Sequence, residues 1–304
     1  MTAGAVDHRG DATEPSDAQV AAGRLRWWRE LLYLAVFYAV YSSVRNLFGS
    51  QGTGDDIDAT VAYEHALQII DIQRAMGLYF EAEVQRWYLD LPAMGLIRLW
   101  NIFYGTAHFV VTAGALIWLY HTDKARYPRW RNTLLVTTAV AIVGFASYSL
   151  MPPRLLDDPG KYGACRIYAP AAAFAAEPDE KIVEGCDRYG YVDTLAVHGG
   201  WISFDDEKAA GLTNQYAAMP SMHIGWSVWS ALVLAPMVRR RWARVLAWTY
   251  PVLTLFTIIV TANHYWLDAV GGLAALGFGA AVARWLTARF QARQAQGDLP
   301  ITTA

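Results

Sequence analysis

Six stretches of the chain stay apolar for long enough to cross a bilayer, which takes about 20 residues of helix. They run approximately over 30–47, 95–120, 133–151, 223–238, 245–262 and 264–286. Asn, His, Asp, Ser and Thr interrupt several of them. Such side chains are costly against lipid, so these helices are expected to turn their polar faces into a bundle. Residues 60–89 follow another pattern, with Glu64, Asp71, Glu81, Glu83 and Arg86 set among Leu, Ile, Phe and Trp. This segment is too charged to span and reads as one amphipathic helix at the interface. Residues 152–220 form a long polar loop rich in Gly and Asp, with Pro159, Pro170 and Pro178. The first 22 residues carry no periodic apolar pattern and read as a disordered tail. The first apolar run begins behind that polar stretch, so it reads as an uncleaved anchor rather than a signal peptide. The expected fold is all-α: a polytopic bundle of six transmembrane helices plus an interfacial helix. The tail 1–22 precedes a membrane domain over 23–292, and a second tail covers 293–304.

Composition supports a bilayer protein. Hydrophobic residues make up 55% and charged residues only 17%, against about 25% charged in soluble domains. The 13 Trp and 17 Tyr suit membrane interfaces. A net charge of −2 argues against a nucleic-acid partner, which calls for a basic surplus. Lys and Arg in the short connections set the orientation. Arg24, Arg26 and Arg29 precede the first span, and Lys124, Arg126, Arg129 and Arg131 separate the second from the third. Arg239, Arg240, Arg241 and Arg244 separate the fourth from the fifth, and Arg284, Arg289 and Arg293 lie at or after the end of the sixth. All four clusters fall on one side of a six-span arrangement. Both termini are therefore expected in the cytoplasm of an integral cell-membrane protein, with 60–89, 152–220 and the turn at Asn263-His264 outside.

Four constellations carry candidate chemistry. His264 and Asp268 form an HxxxD pair, spaced to share a helix face. An Asp so placed can hold one imidazole nitrogen and leave the other free as base or nucleophile; a local salt bridge at a helix start is the plainer reading. Met219-Pro220-Ser221-Met222-His223 precedes the fourth span, where Ser221 reads as an N-cap. A helix N-terminus there suits phosphate, although a simple cap beside an interfacial His fits as well. Arg154 follows Pro152-Pro153 at the exit of the third span, as a phosphate ligand or an interfacial anchor. Asn101, Tyr104, His108 and Thr112 form one stripe in the second span, for function or for helix packing. The charge-derived topology brings Arg154, Ser221, His223, His264 and Asp268 to the same outer face, which favours one composite site.

These residues resemble the type 2 phosphatidic acid phosphatase superfamily of integral-membrane enzymes. Pro220-Ser221-Met222-His223 is similar to its second motif, and His264 through Asp268 to its third. The resemblance is closest to the branch containing inositol phosphorylceramide synthases, which has an Asn-Tyr-His stripe like Asn101, Tyr104 and His108 and a Pro-Pro-Arg like that at Arg154. Thr257-Ile258 stands where the broader superfamily has Ser-Arg, and Ser147 where it has a lysine; both departures fit the synthase-like branch. The resemblance implies that His264 attacks phosphorus, Asp268 orients it, and His223 serves as acid and base. Arg154 and the helix start at Ser221 would hold the phosphoryl oxygens of a phospholipid or other lipid phosphate substrate. No cofactor and no metal are expected, since no dense Cys/His/carboxylate cluster calls for one. Cys165 and Cys186 share the external loop and are expected to form a disulfide there. Two other classes stay open: a transporter or redox carrier built on the three histidines, and an intramembrane serine hydrolase using Ser221, which lacks the G-x-S-x-G elbow.

Overall fold

In a computed structural model, the protein is described over residues 26–30, 32–33, 35–36, 39, 43, 59–92, 94–160, 162–169, 185–200 and 215–295. No strand occurs among the described residues. The expected tail 1–22 lies outside them, as do most of the first expected span and the end of the C-terminal tail. The residues described between positions 27 and 43 are helical. From that helix the buried Glu30 pairs with Arg131 at 2.5 Å.

The principal helices are α1 (Ala59–Ala75), α2 (Glu81–Leu89), α3 (Ile97–Thr122), α4 (Tyr127–Ser147), α5 (Met222–Met237), α6 (Arg241–Val260) and α7 (Trp266–Ala295). Three of these contain stretches long and apolar enough to cross a membrane: Ile97–Thr122, Arg241–Val260 and Trp266–Arg289. Met222–Met237 is apolar but shorter. The chain is thus a helical membrane protein. α5 lies at the centre and packs against α3, α4, α6 and α7, while α4 lies along α7. The α4–α7 approach is close: a Cβ on Gly279 would lie 2.4 Å from Thr137 Oγ1.

Several boundaries differ from the expected ones for identifiable reasons. The single amphipathic helix over 60–89 is two helices. Gly77, at φ 68°, ends the first. Its N–H donates to Arg74 O, and the Leu78 N–H donates to Gln73 O. That pair of bonds is a Schellman termination, which a residue at positive φ requires. The helix expected over 133–151 begins six residues earlier, with Pro128 in its first turn where a missing N–H costs nothing. It ends at Ser147. Pro152-Pro153 disfavour helix just upstream, and Leu150 instead forms a parallel bridge with Ala217.

The loop over 152–220 is packed where it is described. Leu150, Met151, Leu155, Leu156, Tyr191 and Tyr216 join residues of α1 in one buried cluster, together with Ala262 and Tyr265. Asp157 accepts from Tyr168 Oη (2.8 Å) and from the backbone N–H groups of Tyr189 and Tyr191. A disulfide joins Cys165 to Cys186, with their Cα atoms 5.3 Å apart. This cap of loop and α1 sits over the end of the bundle where α4, α5 and α7 meet the loop.

Candidate active site

α6 ends at Val260 in a second Schellman turn: Ala262 N–H donates to Ile259 O, and Asn263 N–H to Ile258 O. Ala262 takes the left-handed position at φ 51°, unusual for a residue with a Cβ. α7 begins only at Trp266, so His264 lies in the turn before the helix rather than in its first turn. Asp268 reaches back across that start. Its Oδ2 accepts from Tyr265 N–H at 3.0 Å and from His264 Nδ1 at 3.2 Å. A carboxylate only accepts, so Nδ1 carries a proton, and in the neutral ring Nε2 then keeps its lone pair. Both side chains are buried, at 3% and 0% exposure.

His264 Nε2 faces His223 Nδ1 at 3.3 Å. With His264 protonated on Nδ1, His223 is the donor in that contact. His223 sits in the first turn of α5, and backbone bonds bring that turn to α7: Ser221 N–H donates to Asp268 O at 2.9 Å. Gly272 permits the approach, since a Cβ there would lie 2.2 Å from Ser221 O. α3 closes the other side. The Tyr104 ring stacks on His223 at 4.2 Å and 17°. The His108 ring meets His223 edge-on at 4.2 Å, and His108 Nδ1 donates to Tyr104 O at 3.0 Å.

Ser221 occupies the N-cap position of α5, yet its side chain makes no cap bond. Its Oγ is buried without a partner, and so are Asp268 Oδ1 and Arg154 Nε. Arg154 joins the site through its backbone, whose N–H donates to Ala262 O at 2.8 Å. Its guanidinium pairs with Asp193 and donates to Gln215 Oε1 at 2.6 Å. Burial opposes its charge, but Asp193, Tyr104 and Asp158 together offset this, and its pKa lies above the ordinary arginine value. Burial, with the charge of Asp193, pushes the Asp158 carboxyl up to about 6.

Asn101 serves the loop rather than the imidazoles. It donates to Thr194 O (2.8 Å) and Gly199 O (2.9 Å) and accepts from Thr194 Oγ1 (2.9 Å). It thereby holds the helical turn Thr194–His198, which Asp193 caps. Thr112 meets Ser230 of α5 at 3.3 Å. Among the described residues, no group of three or more His, Cys, Asp or Glu side chains is arranged to hold a metal ion.

Sequence reasoning missed Asp193, Gln215, Glu81 and Gln85. The first two bind Arg154, and the last two brace the turns around the site. Asp193 and Gln215 lie in an irregular loop with no periodic signal. Glu81 and Gln85 read as the polar face of an interfacial helix.

The fold and site together define a helical membrane protein with a carboxylate-held imidazole facing a second imidazole at one end of its bundle. The model of the PAP2 superfamily matches residues 67–282, more than two-thirds of the chain. The chain belongs to that superfamily, whose members are lipid phosphatases or phosphotransferases. Neither the curated proteins nor the solved structures offer a match.

Proposed function

We propose that the protein is a lipid phosphotransferase that works through a phosphohistidine at His264, in the inositol phosphorylceramide synthase-like branch. The observation that carries this reading is the position of the His264 ring, 3.2 Å from a buried carboxylate on one side and 3.3 Å from His223 on the other. In the first half-reaction, His264 Nε2 attacks phosphorus and the bond to the leaving oxygen breaks. That oxygen takes a proton from the His223 imidazolium, which is left neutral. In the second, His223 takes a proton from the acceptor hydroxyl as its oxygen attacks phosphorus, and His264 is released. Arg154 and the first turn of α5, with the free Ser221 hydroxyl, hold the phosphoryl oxygens as charge develops. These residues supply nucleophile, acid, base and anion cradle without calling on a metal.

A phosphoryl group in line between the two rings needs more than about 6 Å, since the bond from phosphorus to the leaving oxygen adds to an attack distance and a hydrogen bond. The 3.3 Å contact is therefore a resting arrangement that substrate replaces. The Ser221 hydroxyl makes no hydrogen bond to a base among the described residues, which disfavours a serine hydrolase. In this reading six helices cross the membrane, both termini are cytoplasmic, and the site opens to the outer face. The donor carries a phospho-headgroup such as phosphoinositol, and a lipid alcohol is the acceptor. With water as acceptor the same site is a lipid phosphate phosphatase.

Product analysis tests this. Purified protein in phosphatidylcholine vesicles is given labelled phosphatidylinositol or phosphatidic acid, with and without a lipid alcohol. Transfer of the phospho-headgroup from phosphatidylinositol to the alcohol supports the reading. Release of inorganic phosphate alone, from phosphatidic acid, favours the phosphatase. A His264→Ala variant as active as wild type would end the mechanism.

A further inference from the structure

The turn that carries His264 is held from outside its own helix. Glu81, the first residue of α2, is fully buried at 0% exposure. Its Oε1 accepts the backbone N–H of Trp266 at 3.1 Å and a bond from the buried Gln73 of α1. Its Oε2 accepts Phe80 N–H at 3.1 Å. Trp266 lies midway between His264 and Asp268, and its indole donates to Leu78 O at 2.8 Å, in the turn joining α1 to α2.

Two carboxylates thus share the start of α7: Asp268 holds Tyr265 N–H, and Glu81 holds Trp266 N–H. No cation lies within ion-pair reach of Glu81 among the described residues. A buried carboxylate without a cation is costly. The free N–H groups and positive end of a helix offset that cost, which explains why it sits there. One turn along α2, Gln85 donates to Val192 O at 2.9 Å and to Val260 O at 3.3 Å, and accepts Val192 N–H at 3.0 Å. Val192 precedes Asp193, the partner of Arg154.

We infer that α2 is a brace for the active site, and that Glu81 is a positioning residue for the His264–Asp268 pair. It fixes the entry of α7, and with it the direction in which His264 Nε2 points. Gln85 fixes the Arg154–Asp193 side from the same helix face. The inference rests on His264 being the nucleophile.

The test compares wild type, Glu81→Gln, Glu81→Ala and His264→Ala. Each full-length protein is placed in phosphatidylcholine vesicles containing either phosphatidylinositol with a lipid alcohol or phosphatidic acid. Melting temperature, KM and kcat per folded molecule are measured. A merely structural glutamate lowers the melting temperature and the folded yield but leaves kcat per folded molecule alone. A positioning role lowers kcat about ten- to a hundred-fold, because small misplacements of a reacting group cost that much, and leaves KM within about two-fold. Glu81→Gln keeps one oxygen for Trp266 N–H, so it retains more kcat than Glu81→Ala. It also carries the test if the alanine variant does not fold. Wild-type kcat in either Glu81 variant that folds, with His264→Ala inactive, overturns the positioning role alone. An active His264→Ala, or a wild type inactive on both lipids, overturns the nucleophile reading and this inference with it.

Discussion

Ser221 caps α5 by position but not by bonding. Its backbone has cap geometry, while its hydroxyl is buried and makes no bond to the first turn. An ordinary N-cap serine is worth about 1 kcal/mol of stability. Here that interaction is absent and the buried hydroxyl is unpaired, so Ser221→Ala is expected not to destabilise and to gain up to about 1 kcal/mol. If the hydroxyl serves a phosphoryl oxygen, the same variant weakens inhibition by inorganic phosphate several-fold. Thermal melting and phosphate titration check both halves, and the loss of a full cap's worth of stability would contradict this account. At this scale the sequence was informative where spacing is local. The pairing of His264 with Asp268 follows from four residues of separation, even though His264 stands just before the helix. The approach of His223 to His264 spans 41 positions, and the motifs suggested it together with the charge-derived topology that put both at one face. The partners of Arg154 were not legible, because Asp193 and Gln215 come from irregular chain brought back by tertiary packing.

Helices α5 and α7 meet through backbone, and that contact positions both imidazoles. Ser221 N–H donates to Asp268 O, and Gly272 leaves room for Ser221 O. A methyl group at Gly272 collides with main chain that cannot rotate away. Gly272→Ala is therefore expected to cost about 1–3 kcal/mol through overpacking and to lower activity as the first turn of α5 shifts. Gly277 in the same helix has nothing within 4 Å of a built Cβ. Gly277→Ala should be neutral or slightly stabilising, since alanine favours helix by about 1 kcal/mol. Melting temperatures of the two variants make the comparison, and equal effects would contradict it. Element boundaries were legible where the chain announces them and not elsewhere. Pro152-Pro153 keeps helix from Met151, although α4 ends earlier, at Ser147, and Gly77 is a stop signal inside a segment that otherwise reads as continuous helix. Ala262 gives no such signal. It adopts the left-handed conformation without being glycine, so the end of α6 and the start of α7 are each displaced by two residues from the hydrophobic pattern.

On the scale of the whole molecule, the long apolar helices define a helical membrane protein. Family membership over residues 67–282 sets its class of chemistry. The loop over 152–220 read as polar connection, yet with α1 it forms a cap with its own buried cluster and a disulfide. Its apolar residues come in short runs such as Leu155-Leu156 and Leu195-Ala196-Val197 among Gly, Asp and Pro, too brief for a periodicity to disclose that they converge. The cap carries Arg154, and through Asp193 it meets the brace formed by α2. The account as a whole depends on phosphate residing on His264 during turnover. The most direct measurement is rapid acid-free quenching of purified protein with phosphorus-labelled donor lipid, followed by mapping of the modified residue by mass spectrometry. The account predicts acid-labile phosphorus label on His264, as the phospho-headgroup from phosphatidylinositol or as phosphate from phosphatidic acid, absent from His264→Ala. Label on any other residue, or turnover by a His264→Ala protein at the wild-type rate, would contradict it.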